Sequence, residues 1–136
     1  MANTLMPKFK EAILSAGANT NSDAIAGNVK LVLVDTGAYT FSSAHQFLSD
    51  VAGGARIATS GNLASKTATN GTFASSAITI TAVSGTTVEG IYLYIDTGTA
   101  STSRLIIWYD TATGLTFTPN GGDVTITPAS GNWFTI

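Results

Sequence analysis

Apolar and polar residues alternate through much of the second half of the chain, the period of a half-buried β-strand. Ile78–Ala82 sets isoleucine against threonine, and Val124–Thr127 does the same. Two runs break the alternation because nearly every position is apolar: Val88–Ile95 and Arg104–Tyr109, joined by a polar loop over 96–103. Ile91, Leu93 and Ile95 point one way along the first run, with Tyr92 and Tyr94 opposite. A hairpin apolar on both faces needs cover on both, from its own chain or from another subunit. Val29–Val34 also lacks a polar face and reads as a central strand. Leu115–Thr118 and Trp133–Ile136 complete the strands, separated by turns rich in Gly, Asn and Asp.

The first half carries two helical signals. Leu5, Phe9 and Ile13 fall four apart, Pro7 suits a first turn and Gly17 suits the position past the end, so Thr4–Gly17 is expected to be a short helix. Asn19–Asp23 reads as a loop or hinge. Ser42–Val51 is expected to form a second short helix, with Ser43 and Gln46 as a capping box and Gly53-Gly54 as its stop. Between Ala55 and Thr72 the residues are small and polar, which predicts a long loop holding one short strand at Arg56–Thr59. The pattern predicts a mainly β fold. Residues 1–28 form an N-terminal arm with a short helix, and residues 29–136 an antiparallel β-sandwich or jelly-roll-like domain.

Composition shifts attention from chemistry to assembly. Charged residues make up 10% of the 136, against about 25% in a typical soluble domain. Thr, Ser, Asn and Gly supply the polar surface instead, and neutral hydroxyls desolvate more cheaply than charges. Such a surface suits burial against neighbours; a secreted or simply β-rich protein is the other source of this composition. A net charge of −2 leaves no footprint for nucleic acid or an anionic membrane. There is no cysteine, hence no disulfide, thiolate nucleophile or Cys-ligated zinc. No apolar run approaches the roughly 20 residues that span a bilayer. Lys8 and Lys10 before a short apolar run hint at a signal peptide, but Glu11 interrupts it and Ala12–Ala16 is too short and polar. An arm that docks on a neighbour fits that segment better.

Several turn and strand segments taken together carry a resemblance: Gly71-Thr72-Phe73, Thr81-Ala82-Val83-Ser84-Gly85, Thr87-Val88-Glu89-Gly90-Ile91, Tyr94-Ile95-Asp96-Thr97-Gly98, Tyr109-Asp110-Thr111-Ala112-Thr113-Gly114 and Thr118-Pro119-Asn120-Gly121-Gly122-Asp123. With Ser42–Val51, they resemble a family of small structural proteins of tailed bacteriophages. The resemblance covers most of the chain, is weakest before Val29, and is broken at Gly90 and Trp108. It implies a non-enzymatic virion protein, either a capsid decoration or cement protein or a neck or tail component, whose partners are the major capsid protein or other virion proteins. It implies no catalytic residue and no cofactor. Local threefold positions on a capsid favour a homotrimer.

Other motifs in the chain point toward chemistry. Leu33-Val34-Asp35-Thr36-Gly37-Ala38 matches the signature of retroviral-type aspartic proteases, in which two carboxylates share one proton. Asp-Thr recurs at Asp96-Thr97-Gly98 and Asp110-Thr111, which favours a repeated turn solution. His45, the sole histidine, lacks a defined partner. Glu89, Asp96, Asp110 and Asp123 lack the spacing of a calcium loop, so turn capping is the better reading and no metal is expected. Aromatic residues on strands can stack on sugar, which keeps a receptor- or carbohydrate-binding module as an alternative, but they more often serve core or interface. Phe9, Ile13, Tyr92, Tyr94, Trp108 and Trp133 are therefore the interface candidates.

Overall fold

A computed structural model describes residues 3–14, 22–112 and 114–136. In chain order its elements are β1 (Thr4–Leu5), α1 (Pro7–Leu14), β2 (Asn28–Val34), β3 (Arg56–Thr59), β4 (Thr67–Thr69), β5 (Thr72–Ala74), β6 (Ile78–Ile80), β7 (Gly90–Asp96), β8 (Arg104–Tyr109), β9 (Val124–Ile126) and β10 (Asn132–Thr135). The protein is mainly β, with antiparallel sheets and one α-helix among the described residues. A five-stranded sheet runs β1-β8-β7-β2-β3; β10-β5-β4 and β6-β9 form two smaller ones.

The strands that lack a polar face occupy the middle of the large sheet, where both faces are covered. β7 pairs with β2 along its whole length, from Gly90 opposite Val34 to Asp96 opposite Asn28. On one face Tyr92 lies beside Trp108, their ring centroids 4.7 Å apart. Tyr39 and Phe41 close over that indole at 5.8 and 5.9 Å. On the other face Ile91 pairs with Tyr109 and Leu93 with Ile107, and Trp133 of β10 lies against Tyr109 at 6.3 Å. Phe134 meets Phe73 at 5.3 Å and Phe9 at 6.2 Å, tying the three-stranded sheet to α1. The double cover demanded by the hairpin comes from this chain alone.

Four expectations need correcting. The helix at Ser42–Val51 does not form; a single 3-10 turn spans Leu48–Asp50. Gln46 O accepts from Leu105 N and Leu48 N donates to Ser103 O, so the segment runs extended beside β8. Backbone pairing with a finished sheet outweighs a marginal helical propensity. The cap is also different: the Asp50 carboxylate accepts from Gln46 N at 2.7 Å and Phe47 N at 2.9 Å.

The N-terminal segment is not a projecting arm where it is described. Thr4 and Leu5 pair with Trp108 and Ile107, and Met6 N donates to Ile106 O. Met6, Phe9 and Ala12 are core residues. The helix is Pro7–Leu14, starting at Pro7 as its fixed φ favours; the expected end at Gly17 and most of the hinge at Asn19–Asp23 lie outside the described residues.

The long loop after Ala55 does hold Arg56–Thr59, and also a β4–β5 hairpin that was not anticipated. Its two-residue turn is Asn70-Gly71, with φ of 52° and 78°. Both central residues thus have the positive φ that makes Asn-Gly the common choice in tight hairpins. Leu115–Thr118 is not a strand; it makes one isolated bridge, Phe117 to Val88.

Candidate functional site

A groove of about 690 Å³ lies on the Ile91–Tyr109 side of the large sheet. Leu115, Phe117, Val124 and Ile126 of β9, and Trp133 line it. The isolated Val88–Phe117 bridge ties the 115–118 segment to the residues just before β7, while β9 pairs only with β6. Asn3, Asn132, Asp123 and the hydroxyl residues Thr111, Thr125 and Thr127 are its polar lining. Tyr109 donates its hydroxyl proton to Trp133 O. Burial raises that hydroxyl's pKa, so the ring is neutral. Asp123 is the only charged residue in the lining, and the sole histidine is not among it. The groove can hold an apolar side chain or a short extended segment by excluding water; its lining offers no base beside a nucleophile.

Asp35 and Asp96 cap turns, while Asp123 and Glu89 tie distant segments together. Asp35 accepts from Gly37 N at 2.7 Å through Oδ1 and from the Thr86 hydroxyl at 2.7 Å through Oδ2. Asp96 accepts from Gly98 N at 3.1 Å and pairs with Lys30 at 2.7 Å. The hydrogen bond from Lys30 holds the Asp96 carboxyl below its ordinary value, against the opposing effect of burial. Asp123 accepts from Ala82 N at 3.1 Å, and Glu89 accepts from both the amide and the hydroxyl of Thr36. Asp110 accepts from the Thr111 hydroxyl at 3.2 Å. Among the described residues no three His, Asp or Glu side chains gather as a metal site would need. The Asp-Thr repetition is thus one turn solution used more than once.

His45 enters a short polar chain. Its Nδ1 lies 2.6 Å from the Tyr39 hydroxyl, which lies 2.7 Å from the Tyr92 hydroxyl. Tyr92 is wholly buried, and this chain satisfies its polar end inside an aromatic cluster. No serine completes a Ser-His pair in this chain of contacts.

Five of the six interface candidates, Phe9, Tyr92, Tyr94, Trp108 and Trp133, belong to the core. Phe9, Tyr92, Tyr94 and Trp108 are each at most 3% exposed, so they present no face to a neighbour. Trp133 is 9% exposed and bonds Ser75 Oγ through its indole nitrogen at 2.6 Å; its accessible edge belongs to the groove. Ile13 is partly buried against the core. Aromatic identity on a strand does not distinguish the core from an interface, and here the core took them. The groove residues Leu115, Phe117, Val124 and Ile126 were not singled out from the sequence; their short apolar alternation near Gly-rich turns was the available signal.

Comparison of the chain with known protein families and with curated proteins finds no match. No helix among the described residues is long and apolar enough to cross a membrane.

Proposed function

We propose that this chain is a non-enzymatic structural protein of a tailed-bacteriophage virion, most consistent with a capsid decoration protein that works as a homotrimer. The observation that carries the reading is the character of the surface. Its hydroxyls pair with one another: Thr72 with Thr135 at 2.8 Å, Thr79 with Thr125 at 2.8 Å, and Thr87 with Thr118 at 2.9 Å. Each pair holds a neutral, pre-ordered patch that a neighbour can cover without stranding an ion. The apolar faces of the central strands are closed by the chain itself, so the protomer does not need a partner in order to fold. Its contacts with other copies are then many, shallow and polar, and gain strength by repetition over a shell. The smaller sheets beside the Ile91–Tyr109 face support a sandwich-like reading of the architecture. Burial of Tyr92, Tyr94 and Trp108 leaves these rings unable to stack on sugar, which weighs against the carbohydrate-binding alternative.

The test is location and stoichiometry. Purified protein is sedimented alone, then mixed with undecorated heads and, separately, with isolated tails. Trimers that bind heads agree with the proposal. Binding to tails alone moves the protein to the neck or tail, and binding to neither particle refutes a virion role.

A further inference from the structure

The chain contains two Asn-Gly dipeptides, Asn70-Gly71 and Asn120-Gly121, both exposed and both in turns. In such a pair the glycine backbone nitrogen can attack the asparagine side-chain carbonyl carbon. A five-membered succinimide forms, the Cγ–Nδ2 bond breaks, and ammonia leaves with the displaced proton. Water then adds to either ring carbonyl and opens it, giving aspartate or isoaspartate. Glycine favours the attack because no side chain hinders it. Water is the only co-reactant, and nothing is oxidised or reduced.

The two sites differ in what holds the reacting groups. Gly121 N donates to Val83 O at 2.7 Å, and Asn120 Oδ1 accepts from Gly122 N at 2.9 Å. At that turn both the nucleophile and the group it would attack are engaged. At Asn70, no hydrogen bond among the described residues engages the side-chain amide or Gly71 N. Gly71 instead uses its carbonyl, which accepts from Ile136 N at 2.9 Å.

We propose that Asn70 is a site of spontaneous deamidation, and that the hydrogen bonds at Asn120 protect the second dipeptide. The product matters because of what the turn supports. Isoaspartate lengthens the main chain by one methylene between Thr69 and Thr72, which are register partners. The same turn anchors Ile136 through Gly71 O, and Thr72 shares its hydroxyl bond with Thr135 of β10. Ageing at Asn70 therefore loosens the C-terminal strand and sets a carboxylate on a neutral surface.

The full-length protein is incubated at mildly alkaline pH in ¹⁸O-labelled water, in native buffer and in strong denaturant. Peptide mass mapping then follows label entry at both asparagines. Breaking two hydrogen bonds before attack slows Asn120 roughly tenfold or more relative to Asn70 in the native protein. In denaturant that difference disappears. Asn70→Gln, whose longer side chain closes the ring poorly, removes the native-state modification. Hydrogen exchange on the aged protein shows faster exchange at Ile136. The proposal is overturned if Asn120 converts as fast as Asn70 in the native state. It is equally overturned if the ratio is the same in denaturant, or if Asn70 stays intact while the denatured chain reacts.

Discussion

Adding one methyl group at position 90 tests how tightly the central sheet is packed. A Cβ on Gly90 would lie 1.9 Å from Cη2 of Trp108 and 2.5 and 2.6 Å from Cζ2 and Cζ3. Carbon atoms in contact prefer about 3.5–4.0 Å, so the overlap involves a whole ring edge. The indole has little room to retreat, being 1% exposed and packed against Tyr92, Tyr39 and Phe41. Position 90 does not have a positive φ, so alanine meets no backbone penalty there and lowers the entropy of the unfolded chain by a few tenths of a kcal/mol or more. Overpacking of this kind costs about 1–3 kcal/mol, and the rigidity of the site puts Gly90→Ala at the upper end. Trp108→Leu opens a cavity and costs about 3 kcal/mol, the lower end of large-to-small changes at aromatic core sites. The double variant places the new methyl in the space the indole vacates. Its cost should therefore fall short of the sum by about 1–2 kcal/mol, the coupling expected of residues in direct contact. Urea unfolding of the four proteins, read by linear extrapolation, gives all the terms. A Gly90→Ala protein within about 0.5 kcal/mol of the parent, or strictly additive costs, would refute the argument.

Asp35→Asn retains a side-chain acceptor for Gly37 N and a group that can pair with the Thr86 hydroxyl, so it should change stability by less than about 1 kcal/mol; a pepstatin-sensitive cleavage activity lost in this variant would contradict the turn-cap role. Deleting residues 1–28 removes Met6, Phe9 and Ala12 from the core and β1 from the sheet. The loss is on the order of 5 kcal/mol or more, comparable with the whole stability of a small domain, and circular dichroism of the truncated chain should show no cooperative transition. Burial, with a smaller contribution from Asp96, raises the Tyr94 hydroxyl from 10.0 to about 12. The folded state holds that proton more tightly than the unfolded chain, so the associated stability is full below about pH 10 and falls as pH rises through about 12. Urea midpoints across that range should drop, and Tyr94→Phe should flatten the slope.

The strands with no polar face could be read from the sequence because continuous apolar runs have few other uses, and β2, β7 and β8 sit together at the centre of the sheet as that argument requires. The turn role of Asp35 was equally legible from the repeated Asp-Thr. What local pattern could not supply was pairing between distant segments. Ser42–Val51 has a respectable helical pattern, yet the backbone groups of Gln46 and Leu48 are claimed by Leu105 and Ser103. The β4–β5 hairpin had its signal in Asn70-Gly71, but Thr67–Thr69 is exposed along its length and lacks the apolar alternation that marks a strand. The groove was the hardest to foresee, because its walls come from segments of weak pattern brought together only by the fold. Gly90 and Trp108, far apart in the sequence, are one contact in space.

The pairing of β1 with β8 has a consequence for how the protein is made. Thr4 and Leu5 leave the ribosome about a hundred residues before their partners, Trp108 and Ile107 of β8. β2 meets β7 across a similarly long stretch, while β7 and β8 can close locally as a hairpin. The large sheet therefore cannot be completed until most of the chain has emerged, and topology of this kind folds slowly for its size. During that wait the outer edge of β8 is uncovered, and so few charges leave little repulsion between nascent chains. The two residues of β1 thus act as a late-closing seal, and expression yield should depend more on chaperone supply and temperature than the finished domain's stability would imply.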